Sequence, residues 1–568
     1  MSSHAEFISA IRANPDDDTA RLAFADFLAE NGEDERGEFV RTQIARARLA
    51  PDDPQHSALH ARELRLLAKH GVTWTAGPPL LRRARFRGGF AEVLNGPTEL
   101  VIEQLPESVT VAPIRELQVS GMGAADGLGA RLAERPELEN IDSIAVDDMG
   151  AETYAPAEQI EALFASKHLK RLRRLKLFCG ACTAEVLDTI LSLPAMRSLE
   201  TIHINGGLDT DDAIGVLVKH PDIVVREFRA HKGPHGTWAM GLGGLRALVE
   251  SGLWRDLEVL NVGVRPDPEI MYRIGEFLPE SRLHTLWLHN GSPEPSEDGF
   301  FMYSAGQEYY GVEQLARAGS WGNLRDLRFE YIPLNQGHLT ILLATEHIRQ
   351  LTRLSIFGGM LGPEQGAEIL RCQRLSGLRT LELSCNFMLG PKLGDHLAEA
   401  THLTNLVDLR LNWVQGTDSV AEAVASCAPL ANVRNLELAN NFITAAGMAK
   451  LGAAPHLGNV NRLRVFEHPY GPWQRLLDRT DPKTFCMTAE ASAALASGLP
   501  NLGCLEIYGY TFPADSFAPL LAAVEKMWVA ADPRHITAIT ARAAFAARTN
   551  ELWMPPLAEY LEEEEPHP

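Results

Sequence analysis

The sequence predicts an α/β solenoid, a stack of parallel strands with helical returns, preceded by a small all-α domain. Three observations predict it. An apolar-x-x-apolar-x-apolar pattern returns along most of the chain. Its spacing is near-constant. Residues before about 75 lack it and carry helical patterning instead. At 568 residues, 45% hydrophobic and 22% charged, the chain is too long for one ordinary compact domain and too apolar for a disordered one.

The copies run in order from Ile114/Leu117/Val119 and Ile141/Ile144/Val146 to Leu172/Leu175/Leu177, Leu199/Ile202/Ile204 and a degenerate Val225/Phe228/Ala230. They continue through Leu257/Leu260/Val262, Leu283/Leu286/Leu288, Leu324/Leu327/Phe329, Leu351/Leu354/Ile356 and Leu378/Leu381/Leu383. Leu406/Leu409/Leu411, Val433/Leu436/Leu438, Val460/Leu463/Val465 and Leu502/Leu505/Ile507 complete fourteen copies. Nine of the thirteen steps are 26–28 residues, a period at which one strand and one helix fill each repeat. The pattern resembles the long, ribonuclease-inhibitor-like class of leucine-rich repeats. That resemblance implies a horseshoe with its parallel strands on the concave face, and an asparagine bonding turn backbone at Asn386 and Asn441. Helical returns are expected at Asp211–Lys219 and at Thr488–Gly498, with Thr488 as N-cap and Gly498 as stop.

Before the repeats, helices are expected over Ala5–Ala13, Asp18–Glu30 (capped by Asp18), Glu35–Leu49 and Gln55–His70, with breaks at Asn14-Pro15 and Pro51-Asp52-Asp53-Pro54. The run from Asn14 to Gln43 is similar to the bacterial repeat-companion domain. Asp16, Asp17, Asp18, Arg21, Leu22, Ala25, Asp26, Leu28, Gly32, Arg36, Glu38, Phe39, Arg41 and Gln43 carry the match, and Phe24 and Phe27 depart from it. Trp74 and the segment Arg85–Val93 look like that family's bridge into the repeats. The resemblance implies no chemistry. The charges of this module are read as packing pairs, Arg21 and Arg36 with Asp26 and Glu38, rather than a catalytic carboxylate cluster. Arg82, Arg83, Arg85 and Arg87 are read as a solvated edge strand or as partners of the acidic helices.

The resulting organisation is a helical domain at 1–75, a bridge or cap at 76–110, repeats at 111–515 with insertions at 289–319 and 467–485, a helical cap at 516–560 and an acidic tail at 561–568.

A net charge of −21 argues against nucleic-acid or anionic-membrane binding, and no apolar run is long enough to span a bilayer. Sparse cysteines and no visible signal peptide lead us to expect a reducing cytoplasm. Cys179-Gly-Ala-Cys182 lacks two further ligands and reads as ordinary thiols. The Gly-rich Ala230–Gly244 lacks phosphate-loop spacing, and His231 and His235 read as loop residues. No metalloprotease, nucleophile-elbow or P-loop motif is present, so no enzyme, cofactor or metal is expected. The alternative is an enzyme or regulatory subunit whose site joins the helical module to rim loops.

The expected function is a non-enzymatic protein–protein interaction scaffold. Side chains beside the third apolar position face outward from each strand. Candidate contacts there are Trp287, His289, Arg328, Glu330, Phe357, Arg410, Asn412, Phe466 and Tyr508. The insertions add Phe301, Tyr309, Tyr310, Tyr470 and Trp473. The bland alternative is that inserted loops cover these aromatics. Glu330, Glu382, Glu437 and Glu506 lead us to expect a protein partner with a basic patch.

Overall fold

The computed structural model describes residues 4–122, 127–148, 155–231, 239–290, 310–467, 486–507, 510–523 and 528–530. The N-terminal helices are α1 (His4–Ala13), α2 (Thr19–Glu30), α3 (Asp34–Ala47) and α4 (His56–Trp74). A hairpin of β1 (Arg85–Arg87) and β2 (Phe90–Pro97) follows, then α5 (Thr98–Val111). Internal packing divides the chain into two compact units. The first is Met1–Ala47, Gly71–Ser292 and Ser320–Asn323; the second is Arg48–His70, Pro293–Gly319 and Leu324–Pro568.

In the first unit, β2 pairs in parallel with β3 (Glu116–Ser120), and β4 (Ser143–Asp147), β5 (Arg174–Phe178), β6 (Thr201–Asn205), β7 (Glu227–His231), β8 (Val259–Val264) and β9 (Thr285–Asn290) continue the sheet. The second apolar position forms one in-register column, Leu94, Leu117, Ile144, Leu175, Ile202, Phe228, Leu260 and Leu286, all buried. No single repeat can bury its own leucines; stacking does it for all of them.

The second unit repeats the arrangement with β10 (Asp326–Glu330), β11 (Arg353–Phe357), β12 (Thr380–Glu382), β13 (Asp408–Arg410), β14 (Asn435–Glu437), β15 (Arg462–Arg464), β16 (Cys504–Glu506) and β17 (Trp528–Ala530). Its buried column is Leu327, Leu354, Leu381, Leu409, Leu436, Leu463, Leu505 and Val529.

Strands β3–β16 fall on the fourteen sequence copies, the degenerate Val225 copy included. The pattern missed a strand at each end. β2 lacks a regular triplet and is paired on one edge with β1 and on the other with β3. β17 lies within the helical cap expected over 516–560, after a helix at Ala518–Ala523. The rest of that expected cap, from 531, and the acidic tail lie outside the described residues.

The N-terminal helices fall within a few residues of expectation, but their polar contacts differ. Asp17 Oδ1, not Asp18, accepts from Thr19 N at 2.9 Å. Arg21 forms a buried pair with Glu92 on β2, and Arg41 pairs with Asp26 at 2.6 Å. Arg36 donates to Gly89 O at 2.6 Å and lies over Phe39, Trp74 and Phe86. Burial pushes its guanidinium down to about 9. Arg21 and Arg36 therefore grip the hairpin, while Arg41 ties α3 to α2. Gly88 and Gly89, at φ 52° and 89°, make that grip possible: a Cβ at Gly89 would stand 2.4 Å from Val40.

Arg85 and Arg87 turn inward on Glu116, at 4.0 and 2.9 Å, and hold that carboxylate well below the usual range against its burial. Arg82 and Arg83 are exposed. Gly498 is the last residue of its helix rather than the stop after it. A Cβ there would stand 1.8 Å from Gly452 O, so the glycine serves helix contact.

Candidate interaction surface

The turns leaving β10–β14 build the most distinctive surface of the second unit. Asn441 and Asn386 set their shape. Asn441 Oδ1 accepts from Val414 N at 3.0 Å and Gly416 N at 3.3 Å, and its Nδ2 donates to Leu411 O and Leu438 O at 2.6 and 3.0 Å. Asn386 donates to Ile356 O and Leu383 O and accepts from Leu361 N. Each amide ties its own turn to the preceding one. In the next repeat Glu467 takes over, accepting from Asn441 N at 3.1 Å and Phe442 N at 2.8 Å. Burial raises its carboxyl to about 8 against the opposing pull of these backbone N–H groups.

Among the described residues, every non-glycine residue with positive φ lies in these turns: Tyr331, Met360, Cys385, Trp413, Gln415, Thr417, Asn440 and Phe442, at φ 53–61°. A left-handed side chain costs roughly 1–2 kcal/mol. A cluster of eight persists only because the amide bonds and buried leucines over-determine the turn. The strain fixes apolar side chains at the rim. Tyr331 meets Phe357 edge-on at 5.2 Å, and Phe387 meets Trp413 at 6.2 Å. All four rings are half-buried; Met360 and Met388 beside them are 37% and 60% exposed.

The outward strand faces are largely spent inside the molecule. Arg410 pairs with Asp408 at 2.8 Å, Arg462 with Glu506 at 2.8 Å, and Arg464 with Glu437 and Glu506 at 3.5 and 3.3 Å. These guanidiniums hold Glu437, despite its burial, at about 2. Glu437 and Glu506 are therefore buried against arginines, which removes half of the negative potential expected to draw a basic partner.

Part of this sheet is covered from the helical segment. Helix α4 lies against it: Ser57 Oγ donates to Asn461 Oδ1 at 3.1 Å, Asp52 pairs with Arg379 at 3.2 Å, and Ala61 packs on Gly503, where a Cβ would stand 2.6 Å from the Ala61 methyl.

The candidate residues separate accordingly. His289, Arg328 and Tyr310 are buried and cannot serve as exposed contacts; His289 bonds Ala230 O at 3.1 Å, and Arg328 bonds Asp326. Arg410 and Asn412 are half-buried in the charge network, Asn412 donating to Glu437 at 2.8 Å. Trp287 is half-buried in the first unit. Glu330, Phe357 and Phe466 are half-buried at the ends of their strands, with Arg464 over the Phe466 ring. Tyr508, Phe301, Tyr309, Tyr470 and Trp473 lie outside the described residues.

Sequence reasoning missed Tyr331, Phe387, Met388 and Trp413. The available signal was an aromatic or Met two to five residues past the third apolar position. It also missed the column just after the first apolar position in the first unit. There Arg115, Asp142, Arg173, Glu200, Arg226 and Glu258 alternate in sign, pairing at 2.5, 2.9 and 2.7 Å. Asp16 of the helical module reaches Arg115 and Arg173 at 2.7 and 3.3 Å.

All seven cysteines are free. Cys179 and Cys182 are fully buried, and their mutual hydrogen bond and burial push the Cys182 thiol up. The described residues hold no group of three or more side chains suited to a metal, and no helix among them is long and apolar enough to cross a membrane.

Leucines in register on parallel strands, helical returns and asparagine-tied turns define an α/β leucine-rich-repeat fold, with helices preceding the repeats. No family model and no curated protein matches the chain. Among solved structures it is similar to a chain of the yeast Rad7–Elc1 complex, at 12% identity over 86% of this chain and 90% of that one, with a TM-score of 0.38. An internalin from Listeria monocytogenes is similar at 15% identity over 77% and 93%, with a TM-score of 0.32. Likenesses this distant carry no argument, and the fold assignment rests on the chain's own strands.

Proposed function

We propose that this is a non-enzymatic interaction scaffold that presents the turn rim of its second unit to a protein partner. The observation that carries the reading is the strained, preorganised set of rings and methionines from Tyr331 to Phe442. Exposed apolar side chains on rigid turns lose little entropy on binding, and aromatics and Met are the residues interfaces favour. Phe357 and Phe466 extend the same surface, so part of the sequence reading survives in it. With Glu437 and Glu506 buried against arginines, the complementary partner surface is apolar rather than basic. The N-terminal helices are then a repeat-companion module with a structural role, holding the β1–β2 hairpin and laying α4 on the second sheet.

The test is a Met388→Ser, Trp413→Ser double variant compared with wild type in binding to a partner isolated with the wild-type chain. Loss of two apolar anchors is expected to weaken binding by about 2–4 kcal/mol, with thermal unfolding changed little. Unchanged binding by a folded double variant would rule the rim out.

A further inference from the structure

We propose that the cavity between α4 and the second sheet is a binding site for a small inorganic anion of chloride size. Its volume is about 30 Å³. That exceeds what one water needs and suits a monatomic anion.

Its walls are cationic. Arg353, Arg410 and Arg462 line it from the strands, His56, Ser57 and His60 line it from α4, and Asp408 is the one carboxylate in its lining. Two of these arginines have close partners outside or beside the cavity: Arg410 with Asp408, and Arg462 with Glu506, both at 2.8 Å. Arg353 does not. Its side chain is 11% exposed, and its sole polar partner among the described residues is Asp326 at 3.6 Å. That carboxylate makes its shorter contact, 2.8 Å, with Arg328. Burial, Arg328 and Arg410 push the Arg353 guanidinium down against the opposing pull of Asp326 and Asp408. A largely buried guanidinium whose nearest carboxylate is held more closely by another arginine is costly, and an anion in the cavity would supply a second partner. The first turn of α4 adds its partial positive charge, since His56 and Ser57 begin a 19-residue helix. Arginines of the sheet and the start of α4 thus line one small space from opposite sides.

The test is chloride NMR line width on the full chain, with gluconate at equal ionic strength as the blank and bromide as competitor. Wild type is expected to give saturable broadening that bromide displaces. In Arg353→Gln the affinity is expected to fall about tenfold, one close charge contact's worth. Ser57→Leu, which fills the cavity from α4, should abolish the effect and decides the matter if Arg353→Gln does not fold. Broadening that is equal in wild type and both variants marks a general salt effect and overturns the proposal. So does the absence of broadening above the gluconate blank, which leaves water as the occupant.

Discussion

Asn441 shows how one side chain fixes a local structure. Its amide makes four hydrogen bonds to backbone in a fully buried turn. Asn441→Ala would leave two N–H groups and two carbonyls short of partners, with about 1–3 kcal/mol for each group that water cannot reach. We expect a total loss of roughly 3 kcal/mol or more, read as a lower denaturation midpoint in urea. Glu467 makes a pH prediction. Its folded pKa is raised to about 8, so the folded state holds the proton more tightly than the unfolded chain does. The stability it contributes is complete below the ordinary carboxylate pKa and is lost as pH rises from there through about 8. Urea unfolding at several pH values should show stability falling across that window by up to about 1.4 kcal/mol per unit. Glu467→Gln should flatten the slope. The asparagine's role was legible because its offset from the leucines matches a known repeat. That of Glu467 was not: it stands two residues, rather than three, beyond its last apolar strand position.

At the scale of elements, the leucine period placed β3–β16 because each buried position recurs with the same offset, whatever lies between. The ends escaped for a physical reason. β2 is fixed by a hairpin that the helical module clasps through Arg21, Arg36 and Gln43, contacts up to 71 residues apart in sequence. Helix-to-helix contact was equally hidden. Gly498 reads as a helix stop, but its meaning lies in Gly452, whose carbonyl occupies the place of its missing Cβ. Gly498→Ala should therefore destabilise by about 1–3 kcal/mol through overpacking, although alanine is the better helix former. Calorimetry on the purified variant reads this as a drop in Tm; a rise would mean the helices have room to separate.

For the whole molecule, the net charge of −21 suggested a basic partner, yet it says nothing about where charge is displayed. In both units cross-strand arginines and carboxylates pair in columns, so the formal charge of the sheets is largely internal. Pairing of this kind depends on register between neighbouring repeats, which a single repeat's sequence does not display. The candidate site was accordingly half legible. Outward aromatics such as Phe357 could be read from strand alternation, whereas the covering of part of the second sheet by α4 could not.

The most direct test of the rim is hydroxyl-radical footprinting of the full chain with and without its bound partner. Tyr331, Met360, Met388 and Trp413 are readily oxidised, and the account predicts strong protection at all four, with the half-exposed Tyr272 of the first unit unaffected. Protection confined to the first unit, with Met360 and Met388 oxidised as fast in the complex as in the free chain, would contradict it.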